Sequence, residues 1–406
     1  MKKKYTLRKL FNDIHLWLGL SSGIILFIVC LSGTVYTFQK EIIQLVEPEK
    51  FKISVPDNGN RLATGALISQ VEERLNGKVT TIEMSDNPAA TFKVTVSAPS
   101  ATNGEKKGAK NSGRGKAFYV DPYTGAVLGN DGGKTKEFFT TVMKLHRWLL
   151  IEGGTGRVIV GSATIIFVLL TLTGIILWFP AKIRYWKQGL RIKTDANWKR
   201  INHDFHNTLG FYSFLLLFIM GLTGLCWSFE WYRNGVSSVM GAEVFKGRGE
   251  KPIPSVASQA MSDAIGVDAT ISVADQVFPY SGTLRISLPE GTEGSYVISK
   301  HKTGFFALSA SDKLQLDQYT GRPLKLDRFS DKPLNEQIVA SIKPLHTGEI
   351  YGTFSKILYF LACLVATSLP VTGTMIWINK LKKKPQANKS IPALTSKRMK
   401  QKASAP

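Results

Sequence analysis

The stretch His203-Asp204-Phe205-His206, followed by NTLGFYSFLLLFIMGLTGLCWSF to Phe229, decides how the chain is read. Two histidines stand at the mouth of an apolar run from Leu209 to Phe229, long enough to cross a bilayer. Ionisable groups beside a membrane span are costly and therefore point to function. The pattern recurs. His206 is followed four residues on by Gly210 and eighteen on by Gly224 of a Thr-Gly pair. His15 is followed at the same spacings by Gly19 and by Gly33 of a Ser-Gly pair, and the runs after the two histidines align without a gap.

A second kind of segment also occurs twice. His146 precedes Thr173-Gly174 and Trp178, and His346 precedes Thr372-Gly373 and Trp377. Between them, Asp121-Pro-Tyr-Thr-Gly125 is answered by Asp317-Gln-Tyr-Thr-Gly321. Five landmarks in order make the chain two tandem halves, roughly 1–180 and 201–380, each a span, a soluble segment, a His-bearing helix and a span.

The fold class expected is therefore an α-helical membrane protein with four transmembrane helices in two pseudo-symmetric halves, each half carrying an external α+β domain. Apolar runs at Leu16–Phe38, Val158–Phe179, Leu209–Phe229 and Ile357–Ile378 are each near the ~20 residues a spanning helix needs. The first is too long for a signal-peptide core and has no A-x-A-like site after it, which favours an uncleaved anchor.

The net charge of +22 comes mostly from residues 1–14, 180–204 and 380–406, which hold 21 Lys/Arg against 3 Asp/Glu. Basic clusters flanking spans obey the positive-inside rule, so both termini and the middle loop are expected to be cytoplasmic and both long segments external. Topology accounts for the basicity without nucleic acid. Cys30, Cys226 and Cys363 all fall in spans and form no disulfide framework or zinc pattern.

The expected boundaries follow. The cytoplasmic N-terminus covers 1–14 and the first span 15–39. External segment 40–137, His-bearing helix and turn 138–156, and second span 157–179 complete the first half. A cytoplasmic loop, 180–204, leads to span 205–230, external segment 231–333, His-bearing helix 334–352, span 353–379 and a disordered basic tail, 380–406. Within the external segments, LATGALISQVEERLNG and IPSVASQAMSDAIG have helical spacing. VTTIEMS, ATFKVTVSA, KAFYVDP, ATISVADQVF, GTLRISL, GSYVISK and FFALSA read as strands. SAPSATNGEKKGAKNSGRGK reads as a mobile insertion. His301, without a counterpart in the first half, reads as a solvated surface histidine.

Topology and repeat together place His15 and His206 at the cytoplasmic ends of their spans and His146 and His346 near the external face, separated by most of a ~30 Å core. A b-type haem needs a histidine on each side of the ring and an apolar pocket. No C-x-x-C-H is present, so c-type attachment is excluded. Two bis-His haems b would make an electron path across the membrane. Zinc or copper would want further ligands near each pair. A proton relay would want carboxylates, and none lies within the four apolar runs. His203 lies three positions from His206 on the same helix face, so either could face His15. Trp148, Trp178 and Trp377 suit haem pockets and interfacial belts alike.

The combined motifs HLWLGL, LHRW, HDFHNTLG and LHTGEIYG resemble the PepSY-associated transmembrane family, also called iron-regulated membrane proteins, over about 5–380. The resemblance implies a bacterial cytoplasmic (inner) membrane protein with external, periplasmic PepSY-like domains. It further implies an oxidoreductase of the ferric-siderophore reductase kind, with two b haems on His15, His206 (or His203), His146 and His346. Some relatives are fused to a flavin reductase domain. This chain has no G-x-G-x-x-G, so the implied electron donor is a separate cytoplasmic reductase or a membrane quinol. Two alternatives are a permease or accessory subunit of iron uptake, and a PepSY-based sensor or protease regulator without haem.

Overall fold

The structure, a computed structural model, describes residues 6–57, 59–97, 115–246, 251–255 and 264–382. Most of the insertion after Ser97, the middle of the IPSVASQAMSDAIG segment and the tail from 383 onward lie outside the described residues.

Twelve α-helices are described: α1 (Leu7–Thr37), α2 (Gln39–Val46), α3 (Thr64–Leu75), α4 (Lys134–Trp148), α5 (Thr155–Trp178), α6 (Trp198–Asp204), α7 (Gly210–Ser228), α8 (Glu230–Met240), α9 (Val267–Val277), α10 (Leu334–Ala340), α11 (Ile342–Thr347) and α12 (Gly352–Leu381). A π-helical turn, Phe205–Leu209, joins α6 to α7 in one continuous rod. Four rods are long and apolar enough to span a bilayer: Leu7–Thr37, Thr155–Trp178, Trp198–Ser228 and Gly352–Leu381. The chain is a multi-pass membrane protein. The rods form a ring in which α1 touches α5 and α12, and α7 touches the same two. The third rod starts at Trp198, so the end of the basic 180–204 loop is helical.

Arg8 reaches across to the C-terminal end of α5 and donates to the carbonyls of Phe179 (2.6 Å) and Leu177 (2.8 Å). A cation there satisfies orphan carbonyls and complements the helix dipole.

The two segments expected to be external form one eight-stranded antiparallel sheet and not two separate sheets. Its strands are β1 (Lys78–Met84), β2 (Phe92–Ser97), β3 (Lys116–Val120), β4 (Val127–Asn130), β5 (Gly282–Ser287), β6 (Ser295–Lys302), β7 (Ser311–Asp317) and β8 (Pro323–Asp327). The order β4-β3-β2-β1-β5-β6-β7-β8 runs outward from a central β1–β5 pair, in which Ile82 faces Ile286. Each segment alone would leave a long apolar edge strand, and pairing β1 with β5 removes both edges. Helices α3 and α9 contribute Leu67, Val71, Val267 and Ala274 to a core shared with Ile82, Val94, Ile286, Ile298 and Leu314.

Two strand expectations fail. ATISVADQVF lies mostly in α9: its buried residues, with Val267, fall at Val267, Thr270 and Ala274, a helical spacing that its β-branched content obscured. Asp268 of this helix accepts from the backbone N–H groups of Thr64 (2.7 Å) and Gly65 (3.0 Å), a carboxylate cap on α3. FFALSA is a turn with one bridge, Leu308 to Tyr351, and the strand begins at Ser311. Strands β4 and β8, short and half-exposed, carry no alternation to announce them.

The shared core makes a prediction. Ile286→Ala, at a fully buried site on the central pair, should cost about 2–5 kcal/mol. Amide exchange should accelerate in Lys78–Met84 of the first segment as well as in the second. Protection changes confined to residues 264–330 would contradict a common sheet.

Candidate functional site

Four histidines are brought together as two pairs. His15 of α1 faces His206 of the π-turn, with ring centres 6.3 Å apart and planes at 89°. His146 of α4 faces His346 of α11, again with centres 6.3 Å apart and planes at 52°. A metal shared by two imidazoles lies ~2 Å from each ligating nitrogen. Each nitrogen lies roughly 1.2 Å from its ring centre, given ring bonds near 1.35 Å. The centres of two such ligands should then stand about 6.4 Å apart. Both pairs match that separation.

The second ring nitrogen of each histidine is held by a fixed partner on a neighbouring helix. His15 Nδ1 lies 2.9 Å from Thr173 Oγ1, and His206 Nδ1 lies 2.9 Å from Thr372 Oγ1. Each threonine hydroxyl donates its proton to a carbonyl one turn back, at 2.8 Å to Leu169 and 3.0 Å to Ser368. It is left to accept from the imidazole. His146 Nδ1 lies 2.9 Å from the Val29 carbonyl and His346 Nδ1 3.0 Å from the Met220 carbonyl, and a carbonyl can only accept. All four imidazoles therefore carry their proton on Nδ1 and leave the Nε2 lone pair available as an acceptor or ligand. Orienting acceptors of this kind accompany metal-binding histidines as a rule.

Glycines make the approach possible. A Cβ on Gly174 would stand 3.4 Å from His15 Cε1, and one on Gly373 3.2 Å from His206 Cε1. A Cβ on Gly33 would meet His146 Cε1 at 3.0 Å, and one on Gly224 would meet His346 Cε1 at 2.9 Å. The accepting carbonyls of Val29 and Met220 sit one turn before Gly33 and Gly224, so the missing side chain is what lets the ring reach them. The glycines and threonines that mark the repeat in the sequence are thus the seats of the histidines. Sequence spacing counted Gly33 from His15, whereas in space it serves His146.

The outer pair opens into a cavity of about 1010 Å³, lined by Gly33, Tyr36, Trp148, Trp227 and Gly224 among others. Trp227 lies against His346 with ring centres 5.2 Å apart. Trp227 was not singled out in the sequence, although it aligns with Tyr36 in the first span, and both line this cavity. Lys356, only 5% exposed, also lines it and pairs with Glu41 at 2.7 Å. Trp178 is placed differently: it stacks on Phe211 with ring centres 3.8 Å apart and donates to the Gly189 carbonyl.

His203 stands apart from the inner pair. Its side chain is 49% exposed, accepts from Asn207 Nδ2 and lies 3.6 Å from the buried Asp204 carboxylate. His206, not His203, is the residue across from His15. His301 is exposed on β6. Among the described residues no group of three or more His, Cys, Asp or Glu could hold a metal ion, so neither pair extends to a tetrahedral zinc-type set.

No curated protein matches the chain. The family model described as the PepSY-associated TM region matches residues 13–380, which takes in both histidine pairs, almost all of the four long helices and the whole sheet. The chain belongs to the PepSY-associated TM region family.

Proposed function

We propose that this protein is a di-haem b electron-transfer protein of a bacterial cytoplasmic membrane. In this reading it passes electrons from the cytoplasmic side to a ferric siderophore or another external ferric chelate. The observation that carries the reading is the repeated 6.3 Å separation of opposed imidazoles, each oriented through Nδ1 so that Nε2 is free. A b-type haem held by two histidines would need two such neutral imidazoles and an apolar pocket, with no further protein ligand. When bound, the two irons would supply one-electron carriers near either face of the membrane.

The residues of the chain have defined parts. His15 and His206 would hold the inner haem, and His146 and His346 the outer. Thr173, Thr372 and the Val29 and Met220 carbonyls fix ring rotation and tautomer. Gly33, Gly174, Gly224 and Gly373 keep the rings seated against the helices. In each site one ligand comes from each tandem half, so the halves would act as two jaws. The basic 1–14, 180–204 and 380–406 clusters support an orientation with the inner pair on the cytoplasmic side and the sheet outside. Electrons would enter from a separate reductase or membrane quinol.

The reduced-minus-oxidised visible spectrum of the detergent-purified protein should show sharp b-type bands, with about two haems per chain as two bis-His sites require. A chain free of haem after expression with ample haem supply would defeat the reading. Single changes His15→Ala or His206→Ala should remove one haem, and His146→Ala or His346→Ala the other, whereas His203→Ala should leave haem content unchanged.

Two further outcomes test the orienting contacts. Thr173→Val and Thr372→Val each delete an acceptor at 2.9 Å, and should weaken retention of the inner haem about 10–100-fold while the outer one titrates normally. Gly224→Val should displace His346 and abolish only the outer haem signal, because even a Cβ at that position would lie 2.9 Å from the ring.

A further inference from the structure

The outer cavity is strongly basic, and the positive-inside rule does not explain it, because that rule places cations on the opposite face. Lys40, Lys144, Arg147, Arg157, Lys343 and Lys356 line it, against Glu152 and Glu349. These cations converge from α2, α4, α5, α11 and α12, elements distant in sequence. Lys356 is held by Glu41 and Glu349, and Lys40 by Glu349. Among the described residues, Lys144, Arg147, Arg157 and Lys343 show no carboxylate within ion-pair reach. If a b-type porphyrin occupied the space between His146 and His346, its two carboxylates would take two of these four charges. With Glu152 counted as well, a positive excess survives at the mouth.

We infer that the mouth of the outer cavity is a binding site for an anionic ferric chelate, of the tris-catecholate or polycarboxylate type. It would bind such a chelate in preference to a neutral tris-hydroxamate. The inference rests on the reductase reading and names the substrate class for it. Three catecholates around a trivalent metal leave a triply negative complex, whereas three hydroxamates leave a neutral one. A concave wall of cations beside low-dielectric helices focuses the field and selects by charge. Several flexible lysines and arginines at the rim suit a ligand whose charge is spread over a rounded surface. An anionic lipid headgroup is the competing anion. It is disfavoured because these cations line a concavity leading to the histidine pair, alongside Gly33, Gly224 and Trp227.

The test uses the full-length protein in neutral detergent and in nanodiscs with and without anionic phospholipid. The probes are gallium(III) complexes of a tethered tris-catecholate and of an uncharged tris-hydroxamate, which cannot be reduced and so report binding alone. The trianion should bind at least about tenfold tighter at low salt, and its advantage should collapse as salt screens the rim. The variant carrying Lys144→Gln, Arg157→Gln and Lys343→Gln alters three exposed positions. It should lose about tenfold in affinity for the trianion, a few-fold per partly solvated ion contact, and none for the neutral complex, with elution unchanged and affinities compared per folded chain. Equal affinity for the two complexes would overturn the inference, as would a preference the variant does not reduce. Loss of co-purifying anionic lipid in place of chelate binding would also overturn it and give the cations to a headgroup. Haem quantified on the same sample separates the claims: charge selectivity in a haem-free chain would sink the reductase reading while leaving the anion site standing.

Discussion

The arrangement depends on one kind of contact: a half-buried imidazole whose Nδ1–H is given to an acceptor fixed on another helix. An unpartnered imidazole in a membrane interior would carry a large desolvation cost. Pairing through Nδ1 removes half of that cost and leaves the other nitrogen exposed to its opposite number. The unsatisfied Nε2 lone pairs, two per site and 6.3 Å apart by ring centre, are then a demand for a ligand. Zinc would leave that demand half met, because it wants four donors and each pair supplies two. A planar macrocycle that brings its own four donors fits the donor count.

The four seats are built alike but not identically. The inner histidines use threonine hydroxyls, and the outer ones use main-chain carbonyls exposed by a glycine. His15 lies in regular α-helix, while His206 lies in the π-helical turn Phe205–Leu209. A π-turn inserts a residue into the helical ladder and rotates what precedes it. The same turn sends His203 to the exposed side beside Asp204 and Asn207, away from the pair. A difference in ring angle, 89° inside against 52° outside, accompanies these different seats.

Much of this was legible in the sequence, and the limits have physical causes. The four spans, the tandem order and the pairing of His15 with His206 and of His146 with His346 follow from apolar length, spacing and charge placement. The repeat favours His206 over His203, but spacing alone kept both open, because i and i+3 share a helix face and the π-turn carries no signature in composition. Gly33 was visible only as a landmark of the repeat, because linear spacing counts it from His15 and is silent on the packing that sets it against His146. The common sheet was hidden for a different reason. A strand's inward alternation says which face is buried but is silent on its edge partner, so Ile82 and Ile286 could not be matched from pattern alone. ATISVADQVF misled because β-branched content outweighed a three-and-four spacing of its buried positions.

The shared sheet matters to the sites because each pair draws one histidine from each half. Keeping both pairs of rings opposed at 6.3 Å requires the two parts of the chain to stay in register with one another. Inside the membrane, contacts of α1 with α12 and of α5 with α7 join the halves. Lipid supplies little hydrophobic drive for such contacts, which rest on close packing and polar contacts. Beyond the spans, water is present, and the β1–β5 ladder with its continuous core of Ile82, Ile286, Val94 and Ile298 adds a drive the bundle lacks. The ion pair of Lys356, on α12, with Glu41, on α2, ties the halves again beside the outer cavity. The shared sheet is therefore also a clamp that keeps the two histidines of each pair facing one another.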